Sequence, residues 1–530
     1  MNWRRFRILC LVVLVVGVAA ASVVFGQAAP APGPDSVAGL RAAAHELVLQ
    51  QSEMGWRSYV QGDSSDQASL YRKYEYLFTE KSIKMARAAW QTEPDADQKR
   101  ALEFFLHYLE TEYVGDQTAE LNDIETDLEA ALPVLVGGKL VPYRELDGLI
   151  ANEPDRARRA VLSAEEYRTY RLLNAVILNR LLDKSHRLAK ELGYADYLAL
   201  AVSAKMFDLE DMLAKGREFL DLSEKAYLKL FDEVSTIPRA EFRRSDISPL
   251  LSAKSFDRFF PKDNLMPAAY KLFEGLGLGE IAHHKIQVDD RPLPTKVPRA
   301  ACFPIRVPQD VRLTIKPIGG VGDYSALFHE FGHAQHFANS TTPIWEFQQL
   351  GTNAVTEAYA YLMESMPERE TWLAANTTMT PAERAKFRRQ VGLAKLYMAR
   401  RYLAKVLYET ELHRGVAEPQ KRYQYWLSRA YGFQLTDEES TRYLTDLDSL
   451  LYAADYAQAF YLEAMLDTYL RAHFGAAWWT NKKAGEFLQG LWKDANKWTG
   501  IELAHKLGFP GFDNKLLFDY IMQVAGEAAR

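Results

Sequence analysis

The sequence predicts a mainly α fold with one small β-sheet, placed next to a helix that carries an HExxH pattern. Three observations predict it. Apolar residues recur at spacings of three and four along most of the chain, the rhythm that lines one face of an α-helix. A single stretch, 286–317, breaks that rhythm with prolines and alternating apolar residues, which reads as short strands. No internal period of roughly 20–50 residues is visible, which argues against a repeat solenoid. With 530 residues, 48% of them hydrophobic and 12% aromatic, the chain can bury one large core or a few smaller ones.

At the N-terminus, Arg4, Arg5 and Arg7 precede an apolar run over 8–25, with small residues at Ser22 and Gly26. This is the pattern of an export signal over 1–26, with cleavage near Gln27. The run is also near the minimum length that spans a bilayer, so an uncleaved membrane anchor is the other reading. Either reading puts the bulk of the chain outside the cytoplasm, secreted or periplasmic. Losing the three arginines takes the formal charge from −6 to −9, a balance that argues against nucleic acid as a partner. The only cysteines are Cys10 and Cys302, so a chain cleaved after the signal has no intrachain disulfide and relies on core packing. Residues 27–40, which open with QAAPAPGP, read as a flexible linker, and 41–530 as the folded unit.

Beyond the linker, helical patterns occupy 167–192, 209–234 and 387–413, among others. The strand-like stretch 286–317 ends in the flexible Gly319, Gly320, Val321 and Gly322, and Asp323 stands where the next helix would be capped. A strand leading straight into that helix has an edge able to hold an extended peptide by main-chain hydrogen bonds; the alternative is a small sheet of structural value only.

The helix after Asp323 carries His329, Glu330 and His333 in HEFGH. Residues four apart share one helical face, so both imidazoles can ligate one Zn²⁺ while Glu330 lies beside the metal's open position. A catalytic zinc site needs a third protein ligand and keeps a position for water. The HExxHxxGxxH arrangement is excluded, because the glycine position is His336 and the last histidine position is Asn339. A shorter-spaced glutamate is excluded as well, since Thr352 stands there. Glu357, with 23 residues between it and His333, is the expected third ligand, and Glu364 and Glu346 are the alternatives. Glu364 lies two turns beyond Glu357, where it either orients a ligating imidazole or is a solvated helix acid. His336 is expected to line the pocket rather than to ligate, because a fourth protein ligand would close the site. Such a set suits one Zn²⁺ per chain, although Co²⁺ or Mn²⁺ can occupy it.

Three stretches resemble the zinc oligopeptidases of the thimet oligopeptidase and oligoendopeptidase F family, with angiotensin-converting enzyme more distant. LFHEFGHAQH at 327–336 is similar to that family's LFHEFGHALH, with Glu357 and Glu364 at its spacing. LAKELGYADYLALAVSAKM at 188–206 resembles a helical stretch upstream of the family's site, and LYAADYAQAFYLEAML at 451–466 its tyrosine-rich helix. The resemblance implies a two-lobed helical metallopeptidase around a deep central channel that admits short unstructured peptides; the sequence leaves the oligomeric state open, with a monomer favoured. It implies peptide hydrolysis, with Glu330 as general base and a tyrosine as oxyanion donor. Tyr456 is the first candidate for that donor, Tyr452 the second and Tyr461 the third. The chain departs from the family here: it has no histidine between His413 and His473, and the aligned tyrosine positions hold Tyr456, Phe460 and Glu463. That departure keeps open a second reading, an inactive relative serving as a zinc-containing peptide-binding module. His413, His473 and His505 read as structural or surface residues, and Trp478, Trp479 and Trp498 as packing for the C-terminal part.

Overall fold

Short polar side chains start many of the helices. The computed structural model describes residues 35–63 and 67–527. The export signal expected over 1–26 and the linker residues 27–34 lie outside that range. Ser36 accepts the Gly39 N–H at 3.1 Å and opens α1, Val37–Gln61, so residues 37–40, assigned by sequence to the linker, are helical. Asp95 accepts two N–H groups at the start of α2, Ala96–Ala131. At its far end Pro133–Val136 (β1) and Lys139–Pro142 (β2) form a hairpin that the helical rhythm did not predict. Its Gly137 and Gly138 have φ of 57° and 80°, the left-handed pair that a tight two-residue turn demands.

The next helices are α3, Arg156–Leu173, α4, Asn179–Glu191, α5, Tyr197–Lys205, and α6, Leu209–Val234; a π-helical turn joins α3 to α4. The strand-like stretch forms three strands: β3, Ile286–Asp289, β4, Ala301–Arg306, and β5, Asp310–Thr314. Their order is β3-β5-β4, parallel for the first pair and antiparallel for the second, which leaves β4 on an edge. The C-terminal half is carried by α7, Val321–Ala338, α8, Asn353–Glu364, α9, Pro381–His413, α10, Tyr452–Phe474, and α11, Asn514–Val524. A capping box between Thr380 and Glu383 and Pro381 at the first position start α9.

Two cores separate the lobes. The N-terminal core gathers Leu40, Leu47, Phe78, Phe105, Leu109 and Leu188. The larger core joins α6 to α11, and α9 runs through it buried on most sides. Its charges are neutralised in place: Lys395 meets Glu463 at 2.9 Å, Arg401 meets Asp446 at 2.6 Å and Lys405 meets Asp448 at 2.8 Å. Trp478 is fully buried and Trp479 buried in the C-terminal part, as the sequence predicts, whereas Trp498 is only half-buried. A cavity of about 200 Å³ lies where the lobes meet, lined by His107 and Tyr108 of α2, Lys205 of α5, and Tyr452 and Tyr456 of α10. Among the described residues no helix is long and apolar enough to cross a membrane.

Candidate metal centre and active site

The start of α7 is built by two aspartates. Asp257 accepts the Val321 N–H at 2.9 Å, and Asp323 accepts the N–H groups of Ile318 and Gly319 at 2.6 and 2.7 Å. The sequence places Asp323 at the cap; in the structure it sits in the first turn and reaches back, while Asp257 satisfies the helix from outside. Gly320, with φ of 97°, makes this approach possible, because a Cβ there would lie 2.8 Å from the Asp257 carboxyl group.

Along α7, Ala326, His329, Glu330 and His333 are half-buried, whereas Leu327, Phe328, Phe331, Gly332 and Ala334 are buried. The HExxH face is therefore the one that a ligand can reach. Behind it, α8 crosses closely at Gly332: a Cβ at that position would stand 2.6 Å from Ala360 Cα and 2.7 Å from the Tyr359 carbonyl. This close crossing brings Glu357 up to the histidines.

His329 and His333 turn their Nε2 atoms toward each other at 3.2 Å, and Glu357 Oε2 lies 3.6 Å from His329 Nε2. The three ligand atoms fall within 4.8 Å of one another, and among the described residues no other group of three such side chains does so. The outer nitrogens are occupied. His329 Nδ1 donates to Glu364 Oε2 at 2.7 Å, which fixes Glu364 as the partner that orients this imidazole and leaves a lone pair on Nε2. His333 Nδ1 lies 2.8 Å and His336 Nδ1 3.2 Å from Thr356 Oγ1. The arrangement that also leaves a lone pair on His333 Nε2 has His333 donating to Thr356 and the threonine hydroxyl donating to His336. Glu357 Oε1 accepts from Tyr452 at 3.0 Å, whereas its buried Oε2 has no hydrogen-bond partner. Two imidazole lone pairs and one unpartnered carboxylate oxygen facing one point fit a zinc ion.

Charge and burial set the protonation of this cluster. Burial pushes the Glu357 carboxyl up to about 7, against the opposing pull of His329 and Tyr452. Burial alone would lower His329, but the hydrogen bond and charge of Glu364, joined by Glu330 and Glu357, outweigh it and hold the imidazole at about 9. Burial and the neighbouring His329 push His333 well down, and burial takes His336 to about 4. Glu330 is raised by burial, countered by His329 and by a backbone hydrogen bond from Cys302 on β4. Perturbed values of this kind concentrate where chemistry is done.

The remaining candidates fall into place around this point. Glu346 is fully buried in an ion pair with Arg41, and Tyr461 donates to Asn514 at 2.5 Å, so both are committed elsewhere. Tyr456 lines the interlobe cavity with its ring 4.8 Å from that of Tyr452 and 4.6 Å from that of Tyr402. Tyr452 touches the metal centre through its hydrogen bond to Glu357. His413 pairs with His186 at 3.1 Å, His473 with the Tyr469 carbonyl at 2.8 Å and His505 with the Pro510 carbonyl at 3.2 Å, all structural contacts. The edge strand β4 is partly used from within: the Cys302 N–H goes to Glu330, Pro304 has no N–H, and its carbonyl accepts from Gln349 at 3.0 Å. Sequence reasoning missed Thr356, whose one signal was a hydroxyl adjacent to Glu357.

Neither a protein-family model nor a curated protein matches the sequence. Solved structures do match. The fold is that of oligoendopeptidase F. A structure assigned to oligoendopeptidase F from Bacillus anthracis str. Ames superposes with a TM-score of 0.63 at 15% identity, covering 92% of this chain and 91% of that one. PZ peptidase A, solved with an inhibitor, gives 0.65 at 16% identity over 92% of each chain. A further oligoendopeptidase F structure gives 0.64 at 15% identity, covering 94% of this chain and 96% of the other. At these identities the likeness establishes the oligoendopeptidase-like fold and nothing finer.

Proposed function

We propose that the protein is an exported zinc metallopeptidase that hydrolyses short unstructured peptides, with one zinc held by His329, His333 and Glu357. The observation that carries this reading is the convergence of two imidazole Nε2 atoms 3.2 Å apart with the unpartnered Oε2 of Glu357, within an oligoendopeptidase-like fold. When bound, zinc supplies Lewis acidity, which acidifies water and polarises a carbonyl. Glu330, next to His329 on the reachable face, accepts the proton of the attacking water and returns it to the leaving amine. Glu364 and Thr356 hold the two imidazoles in the tautomer that presents Nε2. Tyr452, whose hydroxyl donates to Glu357 at 3.0 Å, turns that hydrogen bond to the developing oxyanion in this reading, and Tyr456 behind it lines the cavity that receives the peptide. Export rests on the N-terminal pattern of Arg4, Arg5, Arg7 and the apolar run that follows.

The second reading, a peptide-binding module without turnover, is favoured by the departures on the tyrosine helix. There Phe460 stacks on Tyr361 at 4.8 Å, and Glu463 is bound to Lys395 and to Tyr520, at 2.6 Å from the latter. Turnover of a set of short quenched-fluorescent peptides, with and without a zinc chelator, separates the two. Chelator-sensitive cleavage supports the peptidase, and bound zinc with no cleavage supports the module.

Two expected results follow from the ligand set. Glu357→Ala loses zinc, dropping metal content well below one per chain after dialysis, while the chain stays folded; full zinc retention would move the third ligand to another acid. Zinc affinity also rises with pH. His329 and Glu357 are both raised in the folded, metal-free chain, to about 9 and about 7, so their protonated forms stabilise that state at low pH and this contribution fades as pH climbs through those values. Zinc must displace these protons, so its affinity increases about tenfold per unit between about pH 7 and pH 9, measured by chelator competition. A flat profile would contradict the protonated His329.

A further inference from the structure

We propose that Tyr197 and Lys205, both on α5, whose residues pack into both cores, are positioning residues that set Tyr452 against Glu357 through a strained backbone step at Leu450 and Leu451. The inference rests on the metal centre described above and assigns residues outside it.

Leu450 (φ 49°, ψ 41°) and Leu451 (φ 48°, ψ 46°) are consecutive left-handed residues. Branched apolar side chains avoid this region even singly, and such outliers persist only where the surroundings over-determine them. Here the surroundings do so. The Leu450 N–H donates to Tyr197 Oη at 3.1 Å, and the Leu450 side chain packs against both cores. Leu451 is fully buried in the larger core. Just before them, the Asp448 N–H donates to Glu409 at 3.1 Å and its carboxylate holds Lys405 at 2.8 Å. Tyr197 is itself fixed, its ring centroid 6.1 Å from that of His186 and 5.3 Å from that of His413.

The step decides where α10 begins and how it is turned. Leu451 occupies the cap position of α10 and makes no side-chain cap, so the helix has no local device of its own to set its first turn. Tyr452 is its first residue and donates to Glu357 at 3.0 Å. Lys205 secures the same turn: its ammonium pairs with Asp455 and lies 4.8 Å over the Tyr452 ring. Both contacts run from α5 to the start of α10. Relaxing the two leucines to ordinary backbone would rotate the first turn of α10 and carry the Tyr452 hydroxyl off Glu357. The contacts from α5 thus bear on a centre whose candidate ligands, His329, His333 and Glu357, all lie on α7 and α8.

The test uses the zinc-loaded full chain with Tyr197→Phe, which keeps the ring packing and removes the acceptor. The expected result is a fall in kcat of about 10–100-fold with KM changed less than about twofold, since the step acts on placement at the reacting centre. Hydrogen exchange across 449–456 rises in the same variant. Adding Leu450→Asn, a residue that accepts the left-handed region without a partner, restores kcat to within about threefold of the parent. Parental kcat and exchange in Tyr197→Phe would overturn the proposal, as would a loss that Leu450→Asn does not repair. If the parent chain cleaved no peptide, the peptidase reading would fall, and exchange alone would decide the positioning role: raised exchange upholds it and unchanged exchange overturns it.

Discussion

Glu330→Gln is expected to keep one zinc per chain and to lower kcat by about three orders of magnitude, the middle of the range a general base contributes. The amide preserves the size of the side chain and can still accept from the Cys302 N–H, so the local fold survives. What it loses is the capacity to take a proton. The ligands are untouched, because His329, His333 and Glu357 form the cluster without it. Steady-state kinetics beside metal analysis checks this. A variant with zinc and parental turnover would remove Glu330 from the mechanism, and a variant without zinc would make it a ligand.

Gly332→Ala is expected to damage both stability and the metal centre. The added methyl group would meet the α8 backbone, at 2.6 Å from Ala360 Cα and 2.7 Å from the Tyr359 carbonyl, where no side chain can swing aside. Overpacking of this kind costs about 1–3 kcal/mol. The only relief is to move α7 from α8, and Glu357 rides on α8, so zinc affinity falls more than about tenfold along with the melting temperature. Thermal unfolding of the metal-free chain and a zinc titration measure the two effects. Loss of stability with parental zinc affinity would show that the crossing does not place Glu357.

The HEFGH helix and the approach of Glu357 to its histidines were legible because helical geometry fixes what lies four residues apart and because the spacing to the next acid is a sequence property. The strands of 286–317 were legible for the same reason, since their alternation and prolines are local. What escaped depends on tertiary partners. Asp257 satisfies the start of α7 from 64 residues away in sequence, so the position of Asp323 alone suggested a cap that it does not form. Whether Glu364 meets solvent or His329 was undecidable until α7 and α8 were seen to cross at Gly332. The reach of Tyr452 to Glu357 was hidden for a sharper reason. A helical reading of 451–466 carries no sign that Leu450 and Leu451 are left-handed, and Tyr452, which follows them directly, is the residue whose hydroxyl reaches Glu357. The Gly137 and Gly138 turn was a readable hairpin signal that the surrounding helical rhythm obscured.

The zinc centre is tested most directly by X-ray absorption at the zinc edge of the loaded chain. Two imidazole nitrogens and oxygen ligands at about 2.0–2.2 Å are expected. A sulfur shell from Cys302, a third imidazole from His336, or a chain that binds no zinc at all would contradict it.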